Sequence, residues 1–351
     1  MSEEKKKKVI EVNHLDEKKK SSMINRLIVA GILIVLCVPA LFFGGWAWFA
    51  VITVALLCAT YEAIHAPRKK YKWYVYVFTY VIVLCLVYWM FIKSNLAAFQ
   101  SLDDKSTFVW ELENNLKSIS FSVILLAAAI GGYCLFALLD PNFNWNDVTY
   151  LFTMCVLLGI GFQSLLYVRY YPVAYNEAFY SWQSWIDKSS PGFKYAQSVL
   201  FIIFILLGVI MNDVWAYFVG MFFGKHKMSP RVSPNKTWEG FFGGWILGGL
   251  TALGFVLIVD ACGMMILPPY QVFTVSSQWW WIVILSFFIP LIGDLGDLTM
   301  SMVKRHYGIK DFSHLLGAHG GMLDRVDSML FVFTFAAIFT TFVSNGWNIL
   351  L

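Results

Sequence analysis

The sequence predicts an all-α fold, a polytopic transmembrane helical bundle of about nine spans with the N-terminus in the cytoplasm. Three observations carry that expectation. Hydrophobic residues make up 59% of the 351 residues and charged residues only 14%, against about 45–50% and ~25% in soluble globular proteins. The apolar residues fall into stretches near the ~20 residues that a membrane-crossing helix needs. Lysine and arginine cluster in alternate gaps between those stretches, as the positive-inside rule requires.

In chain order, residues 1–26 come first, polar, with lysine runs at 5–8 and 18–20. They lack an apolar core followed by a small-residue cleavage site, so they do not read as a signal peptide. A disordered basic cytoplasmic tail over 1–23 is expected. Nine apolar stretches follow, at 24–43, 46–64, 73–92, 118–139, 147–168, 196–223, 240–266, 279–303 and 328–350. Only Gly44 and Gly45 separate the first two. This divides the chain into N-terminal membrane helices over 24–195 and a C-terminal membrane region over 196–351, where the candidate catalytic residues fall. No repeat of fixed period is visible. The loop 169–195 is rich in aromatic residues (Tyr170, Tyr171, Tyr175, Tyr180, Trp182, Trp185), which suit the headgroup belt. The six cysteines lie in apolar runs, with no C-x-x-C pair and no His/Cys spacing for zinc; they are expected to be buried, inert thiols.

Charge sets the orientation. With the N-terminus inside, the tail through Arg26 holds eight Lys/Arg, and the loops 66–72, 224–239 and 304–327 hold four each. The opposite side holds three in each of two loops, so 20 of the 26 fall on the cytoplasmic face. The two long polar loops, 224–239 and 304–327, are then on one side and can build one site.

Three acids lie where a membrane helix should not hold them: Asp213 in the sixth stretch, Asp294 and Asp297 in the eighth. Each costs a few kcal/mol at the bilayer centre by insertion scales, so each is a candidate functional group. A salt bridge that fixes helix packing would account equally well for Asp213. Asp294 and Asp297, three residues apart, can face one cavity, and Lys304 and Arg305 follow two turns later. Acids below a basic pair suit a metal–phosphate site, in which carboxylates hold the cation and Lys/Arg hold phosphoryl oxygens. Further on, Gly320 and Gly321 permit a tight turn or close approach to a phosphate, and Asp324 and Asp327 open the last helix. Taken alone they read as helix capping; beside the acids of the eighth stretch they read as part of a site. The loop GKHKMSPRVSPNKTWEG offers four cations, two Ser-Pro turns and Glu239, able to clamp a polyphosphate or simply to be a positive-inside loop.

The run SMVKRHYGIKDFSHLLGAHGGMLDRVD resembles the signature of the phosphatidate cytidylyltransferases (CDP-diacylglycerol synthases), through Ser301, Lys304, Arg305, Lys310, Asp311, His319, Gly320, Gly321, Asp324, Arg325 and Asp327. Upstream, NDVWAYFVGMFFGKHKMSPRVSPNKTWEG resembles a second stretch of that family, through Asp213, Tyr217, Gly220, Gly224, Lys225, Ser233, Pro234, Lys236, Thr237, Glu239 and Gly240. The likeness covers 212–328 and follows the bacterial branch at Gly296-Asp297-Leu298. Gly317-Ala318 departs from the family's Pro-Gly, and the pattern demands an acid at 297 but not at 294.

The resemblance implies transfer of CMP from CTP to phosphatidate, giving CDP-diacylglycerol and pyrophosphate. It implies Mg²⁺, one ion or two, held by Asp297, Asp324 and Asp327, with Lys304 and Arg305 in the catalytic group. Lys236, Lys304, Arg305, Lys310 and His319 would bind phosphate. Lys225, Ser233, Thr237, Glu239, Ser301, Asp311, Gly320, Gly321, Arg325 and Asp213 would line the substrate cavity. The expected partners are CTP, phosphatidate and bilayer lipid, without nucleic acid, and a homodimer is left open. The expected location is a bacterial cytoplasmic membrane with the site facing the cytoplasm. Two other readings stand beside it. An ion-coupled transporter also places acids inside spans, but commonly shows internal repeats. A CDP-alcohol phosphotransferase would need a D-G-x-x-A-R run, which is absent.

Overall fold

A computed structural model describes residues 31–43, 45–99, 121–170, 191–262, 266, 279–317 and 320–344. The expected tail over 1–23 and His319 lie outside the described residues. Among these, nine helices form, one in each expected stretch: α1 (Gly31–Phe43), α2 (Gly45–His65), α3 (Trp73–Phe99), α4 (Phe121–Leu139), α5 (Trp145–Tyr170), α6 (Pro191–Phe223), α7 (Trp238–Ala261), α8 (Trp280–His306) and α9 (Leu323–Ser344). Six of them (α2 and α4 to α8) are long and apolar enough to cross a membrane by length and composition. Their outer faces carry large apolar side chains such as Leu138, Phe222 and Ile258, each more than half exposed. Helices are the form in which lipid tolerates such a chain, because each backbone bond closes within its own segment. The chain is an integral membrane protein with an all-α bundle.

One feature lies outside the sequence expectation. The loop between α6 and α7 folds into a hairpin of two short antiparallel strands, β1 (Lys227–Ser229) and β2 (Ser233–Thr237). Val232 N–H donates to the Ser229 carbonyl (3.2 Å), and Pro230 takes the second turn position, where its fixed φ is favourable.

The tightest helix pair is α6 with α7, and its seam is built from small residues. A Cβ at Gly240 would come 2.8 Å from the Ala216 carbonyl, and one at Gly248 3.0 Å from the Asn212 backbone. Small residues every fourth position let two membrane helices approach to backbone contact. That approach brings Asn212 and Asp213 close to α8.

Four connections meet at one end of the bundle. Lys69 pairs with Asp147, and Lys72 with Asp140 (3.0 Å), tying loop 66–72 to the α4–α5 turn. Tyr150 of α5 donates to the Ala63 carbonyl of α2 (2.8 Å) and its ring packs on Tyr307. Arg305 Nε, at the end of α8, donates to the Val232 carbonyl of the hairpin turn (3.2 Å). At the opposite end, Arg169 of α5 donates twice to the Leu41 carbonyl of α1 (2.8 and 3.0 Å). Of the cysteines, only Cys155 is fully buried, and Cys262 at the end of α7 is exposed.

Candidate active site

The motif residues gather at the end of the bundle where the four connections meet, around two lysines. In the first cluster, Lys236 of β2 reaches two acids of α8: its Nζ lies 2.8 Å from Asp294 Oδ1 and 2.7 Å from Asp297 Oδ2. Asn212 Nδ2 of α6 donates to the second Asp294 oxygen (3.0 Å). Asp294 is buried, while the Asp297 side chain is 35% exposed. Burial works against the Lys236 ammonium, but the two carboxylates outweigh it, and its pKa is held above the usual lysine value.

The second cluster repeats the arrangement on α8 and α9. Lys304 Nζ lies 2.9 Å from Asp324 Oδ1 and 3.6 Å from Asp327 Oδ2. The other Asp324 oxygen accepts from Phe312 N–H (2.9 Å) and Gly321 N–H (3.0 Å), fixing the carboxylate plane. Asp297, Ser301 and Lys304 follow at i, i+4 and i+7, so one face of α8 runs from the first cluster to the second. Asp297 is within Coulombic reach of both Lys304 and Asp327. Each cluster sets two carboxylates against one ammonium.

A cavity of about 410 Å³ opens beside the first cluster, between α6, α7 and α8 and under the hairpin. Asp213, Tyr217, Gly220, Asn235, Lys236 and Asp294 line it. The hairpin owes its position to local chemistry. Thr237 caps α7 by accepting from Gly240 N–H (3.2 Å), a bond commonly worth ~1 kcal/mol. Glu239 accepts from the His226 backbone N–H (3.2 Å) and pairs with its ring (2.6 Å), which folds the loop back onto the helix start.

The sequence of the cytidylyltransferase family, as a family model, matches residues 24–343 of this chain. The chain belongs to the cytidylyltransferase family. It is 34% identical over 224 residues to the phosphatidate cytidylyltransferase of Staphylococcus saprophyticus, a match covering 64% of this chain and 68% of that protein. The corresponding protein of Staphylococcus epidermidis is 38% identical over 214 residues, covering 61% and 64%. That of Staphylococcus haemolyticus is 32% identical over 224 residues, covering 64% and 68%. The chain therefore spans about two thirds of the length of the curated relatives it matches. As a cytidylyltransferase it is a nucleotidyltransferase, and the transporter alternative finds no support.

Within this cytidylyltransferase, the structure sorts the residues singled out in the sequence. Asp213, Lys236, Asp294 and Asp297 come together, as do Lys304, Asp324 and Asp327. Ser301 is buried on α8 between the two clusters. Lys225, Lys310 and Arg325 are exposed around them. Thr237 and Glu239 hold the hairpin, and Ser233 pairs with Ser229 in its ladder. Arg305 spends one donor on the Val232 carbonyl and another on that of Ile309 (2.9 Å). Gly320 adopts φ +81°, which favours glycine, and Asp311 and Asp324 border it. Two residues escaped the sequence reading. Asn212 is a buried amide next to Asp213. Glu62 is an acid two residues from the end of the second apolar stretch, where an acid costs less than at mid-span, so the signal that singled out Asp213 is weaker there.

Among the described residues, no three His, Cys, Asp or Glu side chains gather as a ready-made metal centre. The acids instead come in pairs, each converging on one ammonium. This donor set fits Mg²⁺, which keeps several waters and takes one or two protein carboxylates.

Proposed function

We propose that this chain transfers CMP from CTP to phosphatidate, yielding CDP-diacylglycerol and pyrophosphate at the cytoplasmic face of the membrane. The observation that carries the reading is the pair of lysine–diacid clusters on one face of α8, beside a cavity at the helix ends, in a cytidylyltransferase. In the reaction a phosphate oxygen of phosphatidate attacks the α-phosphorus of CTP. The bond from that phosphorus to the oxygen leading to the β-phosphate breaks, and pyrophosphate leaves with its electron pair. A phosphomonoester is largely dianionic at pH 7, so no strong general base is needed. The task is to bring two polyanions together and to accept charge on the leaving oxygens.

Lys236, Lys304, Arg305 and Lys310 are assigned to the phosphates, with His319. An ammonium has three donors; Lys236 spends two on Asp294 and Asp297, which leaves one for a phosphate oxygen. Arg305 has five donors, and the two given to carbonyls orient the remainder. Asp297 on one side and the Asp324–Asp327 pair on the other would hold Mg²⁺, one ion or two, which when bound would supply positive charge to the triphosphate oxygens. Asp294, tied to Asn212, holds Lys236 and the hairpin against α8. Asp213 faces the cavity wall where the nucleotide is proposed to enter. The site lies at the helix ends because phosphatidate keeps its acyl chains in the bilayer while CTP arrives from water.

The test is incorporation of radiolabelled CTP into chloroform-soluble lipid by the purified protein. Label should enter lipid only when phosphatidate and Mg²⁺ are both present, with one pyrophosphate released per lipid labelled. Absence of labelled lipid from a folded, monodisperse sample overturns the reading. A homodimer is a separate proposal, decided by the mass of the detergent-solubilised particle.

A further inference from the structure

We infer that Glu62, contributed by α2 far from the signature region, is a positioning residue for the acid pair Asp324–Asp327; the inference rests on the site proposed above. Glu62 is buried, at 1% exposure. One carboxylate oxygen accepts from Ser313 Oγ (2.6 Å) and Met322 N–H (2.8 Å), and the other from Leu323 N–H (2.7 Å). α9 begins at Leu323, so Glu62 takes up N–H groups that a helix start leaves without intrahelical partners. A negative group is favoured there by the helix dipole.

A helix start is usually capped by a residue of its own chain segment, which fixes the end only relative to itself. A cap reaching from α2 fixes the start of α9 relative to the bundle. Asp324 is the next residue after Leu323, and Asp327 follows one turn later, so the position of that start sets both carboxylates against Lys304. Ser313 and Met322 lie on either side of loop 313–322, and the single carboxylate holds both together. Next to Ser313, Phe312 N–H is already bound to Asp324. The same carboxylate explains Gly321, since a Cβ there would lie 2.5 Å from Glu62 Oε2. The second glycine of the motif is thus required by an acid from the N-terminal helices.

The experiment measures kcat, KM for CTP and thermal unfolding on folded, monodisperse Glu62→Gln, Glu62→Asp, Gly321→Ala and the Glu62→Asp/Gly321→Ala double variant. Gln keeps the size but turns an NH2 toward one of the three donors. Loss of a group that orients active-site ligands typically costs about 10–100-fold in activity. Glu62→Gln should lose kcat in that range while KM for CTP stays within about threefold, the pattern of misplaced catalytic groups rather than lost substrate binding. Gly321→Ala should lose kcat similarly, and shortening the acid in the double variant should restore part of it, a coupling expected between touching residues. If all variants melt earlier but keep wild-type kcat per folded molecule, Glu62 is only structural and the inference is overturned. It is overturned equally if Gly321→Ala gains nothing from the shorter acid. Asp324→Asn and Asp327→Asn serve as controls. Full turnover in both overturns the site reading and this inference with it, whereas dead controls beside an unaffected Glu62→Gln overturn the inference alone.

Discussion

Asp294 and Asp297 share one lysine, yet their surroundings differ. Asp294 is buried, and its oxygens are occupied by Asn212 and Lys236. Asp297, four and seven residues before Ser301 and Lys304 on α8, leaves 35% of its side chain open. A group that must meet a substrate phosphate or a cation needs that opening, so Asp297→Asn should eliminate turnover. Asp294→Asn should lower it about 10–100-fold, as expected of a group that orients others. Equal loss in the two at saturating Mg²⁺, with folding intact, would place Asp294 in the catalytic group. Chelation of divalent cations should stop turnover of the wild type without moving its thermal unfolding, and added Mg²⁺ should restore it. At this scale the site was largely legible, because an acid in an apolar run is conspicuous. Glu62 was harder to see. It stands near the end of its apolar stretch, where an acid is less costly, and its partners lie some 250 residues away, beyond the reach of spacing arguments.

Between elements, the α6–α7 seam carries the site as much as the acids do. Gly244 faces Asn212 and Ala216; a Cβ there would come 2.8 Å from the Ala216 Cβ and from the Asn212 carbonyl and side-chain oxygens. Because Asn212 holds Asp294, a wedge at 244 should act on both packing and chemistry. Gly244→Ala should destabilise the protein by about 1–3 kcal/mol, the usual range for overpacking, read as a lower midpoint of thermal unfolding in detergent. Turnover should fall with it. An unchanged midpoint would mean that the seam has room the structure does not show. The helices were legible from apolar length alone, but their ends were not. α9 starts at Leu323 rather than 328, because the polar Asp324, Arg325 and Asp327 mask a helix start that capping makes favourable. α6 starts at Pro191 rather than 196, and proline is well suited to a first helical turn. The hairpin escaped because strands of three and five residues, with prolines at 230 and 234, give no period-two pattern to read.

Across the whole molecule, the two motif loops are partners because both lie at the same end of the helix bundle. Loop 66–72, the α4–α5 turn, the hairpin and loop 307–321 all meet at one end, while the Arg169–Leu41 contact marks the other. That is the arrangement expected if the connections after the second, fourth, sixth and eighth spans lie on one side. By the positive-inside rule, the Lys/Arg bias of 20 to 6 would make that side the cytoplasmic one. We therefore propose nine spans with the N-terminus inside. Single cysteines at Ser229 in β1 and at exposed His314, on a background with the six native cysteines replaced, should react in intact cells only with membrane-permeant reagents. A cysteine at Lys188, between the fifth and sixth spans, should react with an impermeant one. Because Ser229 and His314 belong to loops two spans apart, loss or gain of a single crossing between them would put them on opposite faces and split their labelling. Labelling of both by the impermeant reagent would instead invert the whole chain and place the lysine–diacid clusters where CTP does not reach them.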